Sequence, residues 1–167
     1  GSFALHMHRA WPYRQVGVML QPLPWLETGF RYVSIENRRY GPAAYSGDQD
    51  YKDKSIDLKL RLLEEGRHLP QLALGWRDMG GTGLFSSEYL VASKRWGRID
   101  ASLGLGWGYL GNRAMFKNPL TALGGERMNT RTVDVGQGGT FATGSWFHGP
   151  SSLFGGLQYQ SPWNLDF

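Results

Sequence analysis

Hydrophobic residues recur at every second position along most of this chain, and this spacing limits the folds that it can adopt. In the stretch from Asp100 to Gly111, DASLGLGWGYLG, apolar and aromatic residues occupy one set of alternate positions. The other set holds an aspartate, a serine and three glycines. Side chains of a β-strand point alternately to opposite faces, so this stretch predicts a strand with one apolar face and one nearly bare face.

The same period predicts strands elsewhere in the chain. Between Lys54 and Glu64, and again between Leu69 and Asp78, large apolar residues alternate with polar or small ones. In segment 85–95 the pattern assigns an apolar face to Phe85, Tyr89 and Val91 and a polar face to Ser86, Glu88 and Lys94. Weaker alternation marks three earlier segments, and a last strand is expected over 153–160. The fold is therefore predicted to be all-β, an antiparallel meander of about eight strands without a convincing helix.

Composition narrows the functional classes. With 167 residues, of which 41% are hydrophobic, and a formal net charge of +4, the chain is expected to form one folded domain. It contains no cysteine, which excludes disulfides and thiolate metal ligands. No run of about 18 apolar residues is present, so no transmembrane helix is expected. The basic residues are scattered among acidic ones, so nucleic acid is not expected as a partner.

The connections between the predicted strands differ in length in a regular way. Tight links are expected at 21–24, 65–68 and 96–98, and longer ones at 37–53, 79–83 and 112–152. Because consecutive strands of a meander reverse direction, the tight links fall at one end of the sheet and the longer ones at the other. Outer-membrane β-barrels show this asymmetry, with strands that are apolar outward and polar inward. The apolar faces would then contact lipid, and the 112–152 connection would be a long external or inward-folded loop.

A barrel in lipid must close, because an unpaired strand edge leaves backbone groups without hydrogen bonds. The chain starts within a predicted strand, and another strand is expected to begin in the segment from Trp163 to Phe167. Residues 1–167 are therefore interpreted as a single β-barrel segment, a fragment of a longer barrel. Aromatic residues at strand ends, such as Trp25, Trp96 and Tyr109, agree with the enrichment of rings at membrane interfaces, although sheet cores are also rich in aromatics.

Four blocks of sequence carry a resemblance to a known family. They are LQPLPWLETGFRY (20–32), YKDKSIDLKLRLL (51–63), LPQLALGWRDMGGTGLFSSEYLVASKRWG (69–97) and DASLGLGWGYLG (100–111). Together they resemble the YjbH family of outer-membrane proteins linked to exopolysaccharide and capsule biosynthesis. The resemblance implies a β-barrel in the outer membrane of a Gram-negative bacterium, with a role in the export or assembly of an extracellular polysaccharide. It also implies a longer chain with a lipoprotein-type leader and further domains, and it implies no catalytic residues.

The polar faces of four successive predicted strands carry the candidate lumen-lining residues. These are Asp57, Lys59, Arg61, Arg77, Glu88, Lys94, Asp100 and Ser102. Acidic and basic groups that face each other across strands are interpreted as a ladder of ion pairs that fixes the register. The same polar wall could also let a hydrated sugar chain slide along it. Gly104, Gly106 and Gly108 leave space on this face, either for a closely packed plug or loop or for sharp barrel curvature.

The segment from Gly136 to Gly156 is rich in glycine and serine, with aromatic residues between them. Phe141, Trp146 and Phe147 are candidate glycan-contact residues, because apolar surfaces with polar neighbours are typical of ligand sites. The alternative is a mobile external loop without a ligand.

No catalytic constellation is evident. The run from Gly80 to Gly83 is not followed by the lysine and hydroxyl residue of a phosphate-binding loop, so it is expected to be a hairpin connection. His6 and His8 share a strand face but lack a third metal ligand. Ser145 and His148 lack a nucleophile elbow and an orienting acid. We therefore expect no enzymatic activity, no metal and no cofactor.

Four functional hypotheses stay open. The leading one is an outer-membrane barrel for exopolysaccharide or capsule export or assembly, with the lipid bilayer, a polysaccharide and periplasmic export proteins as partners. The alternatives are a non-conducting structural barrel that binds export partners, a barrel enzyme that acts on lipid or glycan, and a soluble sugar-binding sandwich.

Overall fold

One antiparallel sheet of eight strands, joined in sequence order, forms a half-barrel. The computed structural model describes residues 1–132 and 141–162. The strands are β1 (Ser2–Ala10), β2 (Tyr13–Leu23), β3 (Leu26–Arg39), β4 (Asp50–Leu63), β5 (Gln71–Arg77), β6 (Ser87–Trp96), β7 (Ile99–Gly106) and β8 (Ser152–Tyr159). The prediction of an all-β antiparallel meander is confirmed. The strand expected from Trp163 onward and the first part of the Gly136 to Gly156 segment, 136–140, lie outside the described residues.

The two faces of the sheet differ in chemistry, as the alternation predicts. The register places Val18, Phe30 and Ile56 side by side on one face, and Arg31 beside Ser55 on the other. Side chains from β1 through β6 and from β8 line one cavity on the Arg31 face. A single cavity can be reached from both edges of the sheet only if the sheet curls around it. The Arg31 face is therefore concave, and the apolar face is convex.

The buried apolar side chains of the strands lie on the concave face, and not on the apolar convex face. Val33, Ile35 and Ala73 are buried there together with the polar residues Arg31 and Ser55. Most large apolar side chains of the convex face are exposed instead. In an antiparallel sheet with one wet face, the apolar side normally packs on the core and the polar side faces solvent, so this half-barrel has the reverse arrangement.

The connections sort by length between the two ends of the sheet. One end, the short-turn end, has the links 24–25, 64–70 and 97–98. The other end, the long-loop end, has 40–49, 78–86 and 107–151, together with the two-residue link 11–12. Two one-turn helices, α1 (Ala43–Ser46) and α2 (Thr121–Gly124), and three short 3-10 turns lie in the long connections. Within the described ranges, no helix is both long and apolar enough to cross a membrane.

Strand β6 reverses its predicted faces. Glu88 lies opposite Trp76 on the convex side, and Lys94 shares that face. Tyr89 lines the concave cavity. The assignment of Glu88 and Lys94 to the inward polar face is therefore wrong. The four apolar residues in a row at 89–92 satisfy the alternation on both faces, so the pattern could not decide which face is outward.

The stretch DASLGLGWGYLG is a strand only as far as Gly106. Gly108 has a φ of 64°, a conformation that favours glycine, and it opens the 3-10 turn Gly108–Gly111. A side chain at position 108 would also collide with the carbonyl oxygen of Ser86. Trp107 and Tyr109 therefore do not continue the apolar stripe. Trp107 is buried, and the Tyr109 ring instead packs edge-on against Phe85.

Candidate functional site

The concave face encloses a cavity of about 540 Å³ in the middle of the sheet. This volume falls within the range of about 300–1,000 Å³ that is usual for small-molecule sites. Five charged side chains on β3, β4 and β5 contribute to its wall: Glu27, Arg31, Asp57, Lys59 and Arg77. Strand alternation and the register bring them together, because each lies at an inward position of its strand.

Two of the three cations in this wall are paired across strands. The Arg31 Nη2 donates to Asp57 Oδ1 at 3.1 Å, and its Nε donates to Ser55 Oγ at 3.1 Å. The Lys59 Nζ lies 3.5 Å from Glu27 Oε2. Arg31 is almost fully buried, and a buried charge must be paired or be costly to keep. These cross-strand pairs fix the register of β3 against β4.

Arg77 differs from the other two cations. Among the residues that the structure describes, its guanidinium has neither an ion pair nor a hydrogen bond. It nevertheless lines the same cavity as the two paired cations. Asp57, its nearest register neighbour on β4, already accepts hydrogen bonds from Arg31 and from the backbone N–H of Asp78.

Two aromatic rings form the wall of the cavity on the β6 and β8 side. Tyr89 and Phe154 meet edge-to-face, with ring centroids 5.9 Å apart. A side chain at Gly75 would collide with the Tyr89 ring, and one at Gly104 would collide with the Phe154 ring. The concave face of β7 therefore has glycine at position 104 because the Phe154 ring from β8 packs against the backbone there.

Gly106, the next glycine of β7, makes room for a different side chain. A side chain at Gly106 would meet Leu110, which belongs to the 3-10 turn after the strand and lines the concave cavity. Of the two interpretations of these glycines, a closely packed loop agrees with the contact at Gly106.

Three further lumen candidates lie on the concave face but do not line the cavity. Each has a local partner: Arg61 with Glu64 at 2.6 Å, Ser102 with Ser93 at 2.7 Å, and Asp100 with Arg95 at 3.4 Å. They lie toward the short-turn end, as their positions in β4 and β7 require. Whether any of these residues lines a lumen stays a prediction.

Glu88 belongs instead to a buried clamp on the convex face. Its carboxylate accepts two hydrogen bonds from the Arg131 guanidinium, at 2.7 and 3.0 Å, and a third from the Phe147 backbone N–H at 2.8 Å. Only 1% of Glu88 is exposed. Arg131 also donates to Ser86 Oγ and to the Ser145 carbonyl. This clamp attaches the 107–151 connection to the sheet, and no local sequence signal pointed to Arg131.

Aromatic packing supports the clamp. The rings of Trp146 and Phe147 lie 5.7 and 5.9 Å from that of Trp76, and Phe147 is also 5.4 Å from Trp107. Of the three proposed glycan-contact residues, two are thus engaged with the sheet. Phe141 is 56% exposed at the long-loop end. A contact between these rings and glycan stays a prediction.

The other sequence candidates have separate local partners. The Ser145 hydroxyl donates to the Ala142 carbonyl at 2.9 Å, and the His148 Nδ1 lies 2.7 Å from the Trp146 carbonyl oxygen. His6 contacts Gln15, with 3.2 Å between their nitrogens. In residues 1–132 and 141–162 no three histidine or acidic side chains are grouped so that they could hold a metal ion.

A pair of buried carboxylates lies at the long-loop end of the concave face. Asp53 Oδ1 accepts from the Thr82 hydroxyl at 2.6 Å, and Asp78 Oδ2 accepts from the Phe85 N–H at 3.0 Å. Their other oxygens, Asp53 Oδ2 and Asp78 Oδ1, have no hydrogen-bond partner among the described residues. Burial, and then the nearby Asp53 charge, raise the pKa of Asp78 to about 6. The Gly80 to Gly83 run is part of the 78–86 connection around this pair.

Comparison with known proteins identifies the family. The family model described as exopolysaccharide biosynthesis protein YbjH matches residues 1–167. This chain belongs to the YjbH family. Over 164 residues it is 51% identical to a YjbH protein of Escherichia coli (strain K12) named "Uncharacterized lipoprotein YjbH". That match covers 98% of this chain and 23% of the relative, so the chain spans about a quarter of the relative's length. No solved structure matches the chain.

Proposed function

We propose that this chain forms part of the wall of an outer-membrane β-barrel that takes part in exopolysaccharide export or assembly. The convex face would contact lipid, and the concave face would border a hydrated path for the polymer. The family is linked to exopolysaccharide biosynthesis. The Escherichia coli relative is named a lipoprotein, and this name agrees with a location in the envelope of a Gram-negative cell.

The observation that carries this proposal is the exposed apolar convex face. Leu5 on β1, Leu103 on β7 and Leu157 on β8 are 63%, 61% and 77% exposed, and the convex face of β2, β3 and β4 has exposed apolar side chains at Val16, Phe30 and Ile56. Apolar patches much larger than a few hundred Å² are rare on soluble monomers and mark surfaces that meet a membrane or a partner. An apolar band that spans most strands of a curved sheet suits lipid better than a local partner.

The distribution of loops supports the same orientation. Links of two to seven residues lie at the short-turn end, whereas the longest connection, 107–151, lies at the other end. Outer-membrane barrels have short periplasmic turns and longer external loops. The short-turn end would then face the periplasm, and the clamp between Glu88 and Arg131 would hold the long connection near the outer surface.

Reconstitution of the full-length protein into liposomes tests the proposal. We expect entry of neutral oligosaccharides into protein-containing vesicles, measured by osmotic swelling, and no entry into empty vesicles. Failure of the purified protein to insert into lipid, or its recovery as a folded water-soluble species without detergent, would overturn the membrane assignment.

A second candidate is a non-conducting barrel that binds export partners. Its support is the packing of Leu110 and Phe154 into the concave side, which narrows the space there. This candidate predicts stable insertion without vesicle swelling. Replacement of Leu110 by alanine would then be the next variant to examine, because it removes the side chain that the long connection inserts.

A further inference from the structure

Arg77 combines two properties that are seldom found together. Its guanidinium lines a concave cavity, and among the described residues no side chain pairs with it. The other two cations of the cavity, Arg31 and Lys59, each have a carboxylate partner. A partly buried cation that makes no hydrogen bond or ion pair with the described residues is costly, so its retention points to a ligand that pairs with it.

The charges around the cavity agree with an anionic ligand. Three cations and two carboxylates line it, which leaves one positive charge in excess when His6 is neutral. Two further carboxylates nearby, Asp53 and Asp78, are buried and do not line the cavity. The excess charge is therefore available at the cavity surface, at Arg77.

The remaining wall suits a sugar ring. Tyr89 and Phe154 present ring surfaces to the same cavity that Arg77 lines. An apolar wall beside a few fixed polar groups is the usual construction of a small-ligand site. A guanidinium presents a planar fork of donors that matches a carboxylate with two parallel hydrogen bonds.

We propose that Arg77 binds the carboxylate of an acidic sugar unit, while Tyr89 and Phe154 contact the apolar face of that unit. The inference rests on the proposed function, because it takes the exopolysaccharide as the ligand. It adds that the polymer is anionic and that Arg77, on β5, binds its negatively charged groups.

Binding of two matched trisaccharides to the full-length protein in detergent tests the inference. Trigalacturonic acid carries a carboxylate on each ring, and galactotriose is its carboxyl-reduced counterpart. Isothermal titration is expected to give tighter binding of the acid by about tenfold or more, since hydrogen bonds to charged groups contribute more than neutral ones. Added salt should weaken binding of the acid and leave binding of galactotriose unchanged.

Three variants separate the role of Arg77 from general charge. Arg77→Gln should lose the preference for the acid without changing the affinity for galactotriose, and Arg77→Lys should keep a part of it because the charge stays but the fork is lost. Lys59→Gln, in the same cavity, is the matched control. It should reduce binding of the acid less, since Lys59 already has Glu27 as its partner. Near-ultraviolet circular dichroism checks that each variant is folded.

The outcomes distinguish this inference from the proposed function. Equal affinities for the two trisaccharides, or an Arg77→Gln protein that still prefers the acid, would overturn the acidic-sugar site even if vesicles swell. Preference for the acid that depends on Arg77 would support the site even in a protein that fails to conduct sugars. A loss of preference as large in Lys59→Gln as in Arg77→Gln would also contradict a specific role for Arg77.

Discussion

The substitution Asp78→Asn tests the physical description of the long-loop end. Asp78 is 2% exposed, and its pKa is raised from an ordinary value of 3.8 to about 6. The folded state therefore holds this proton more tightly than the unfolded chain does. As the pH rises from about 4 to about 6, the unfolded state releases the proton first, so the stability that the protonated carboxyl contributes is lost over that interval and does not return above it.

The magnitude follows from the size of the change in pKa. Moving the pKa from 3.8 to about 6 corresponds to at most about 3 kcal/mol between pH 4 and pH 7, less what solvent relaxation removes. Asparagine has no proton to lose and can still accept the hydrogen bond from Phe85. The variant should thus be more stable than the parent above pH 7 and similar to it near pH 4.

Hydrogen exchange of the full-length protein in detergent measures this effect locally. The free energy of opening for peptides that cover 78–86, corrected for the intrinsic exchange rate, should fall between pH 4 and pH 7 in the parent and stay flat in Asp78→Asn. Asp48→Asn is the control, because Asp48 is an exposed loop carboxylate at the same end of the sheet. A parallel fall in parent and variant, or a less stable variant at pH 8, would show that protonation of Asp78 does not stabilise the 78–86 connection.

Three other substitutions test separate parts of the structure. Glu88→Gln leaves a buried guanidinium without its counter-charge, which should cost about 3–5 kcal/mol and expose the 107–151 connection to limited proteolysis; an unchanged cleavage pattern would argue against the clamp. Gly104→Ala pushes a methyl group onto the Phe154 ring and should cost about 1–3 kcal/mol in thermal unfolding, with the loss relieved when Phe154→Ala is combined with it. Leu103→Arg should cost about 2–4 kcal/mol in a bilayer and Ser102→Arg much less; equal costs would contradict the assigned faces.

The alternation of apolar and polar residues predicted the faces of those strands in which the pattern is unambiguous. From Ile56 to Leu62 in β4 the apolar and polar residues alternate strictly, so the faces of Ile56 and Asp57 could be assigned before any pairing was known. In β6 the consecutive apolar residues at 89–92 satisfied both faces. Only the register with β5 shows that Tyr89 points into the concave cavity.

The candidate site depends on contacts that the sequence does not encode locally. Arg77 was placed on the correct face by its spacing. Its lack of a bonded partner among residues 1–132 and 141–162 depends on Asp57 already being engaged by Arg31, which is 26 positions from Asp57 along the chain. The clamp between Glu88 and Arg131 joins residues 43 positions apart, across a strand and a long connection. Such pairings are set by the packing of the whole segment, so periodicity cannot predict them.

Spin labels on the full-length protein in lipid bilayers can show whether the convex face contacts lipid and the concave face contacts water. Labels at Leu5 and Leu157 report on the convex face. Labels at Ala4 and Gly156 report on the concave face, and Gly156 has open space for an added side chain. We expect high accessibility to oxygen at Leu5 and Leu157 and high accessibility to a water-soluble nickel complex at Ala4 and Gly156. Equal access of the nickel complex to both faces would contradict this assignment of the faces.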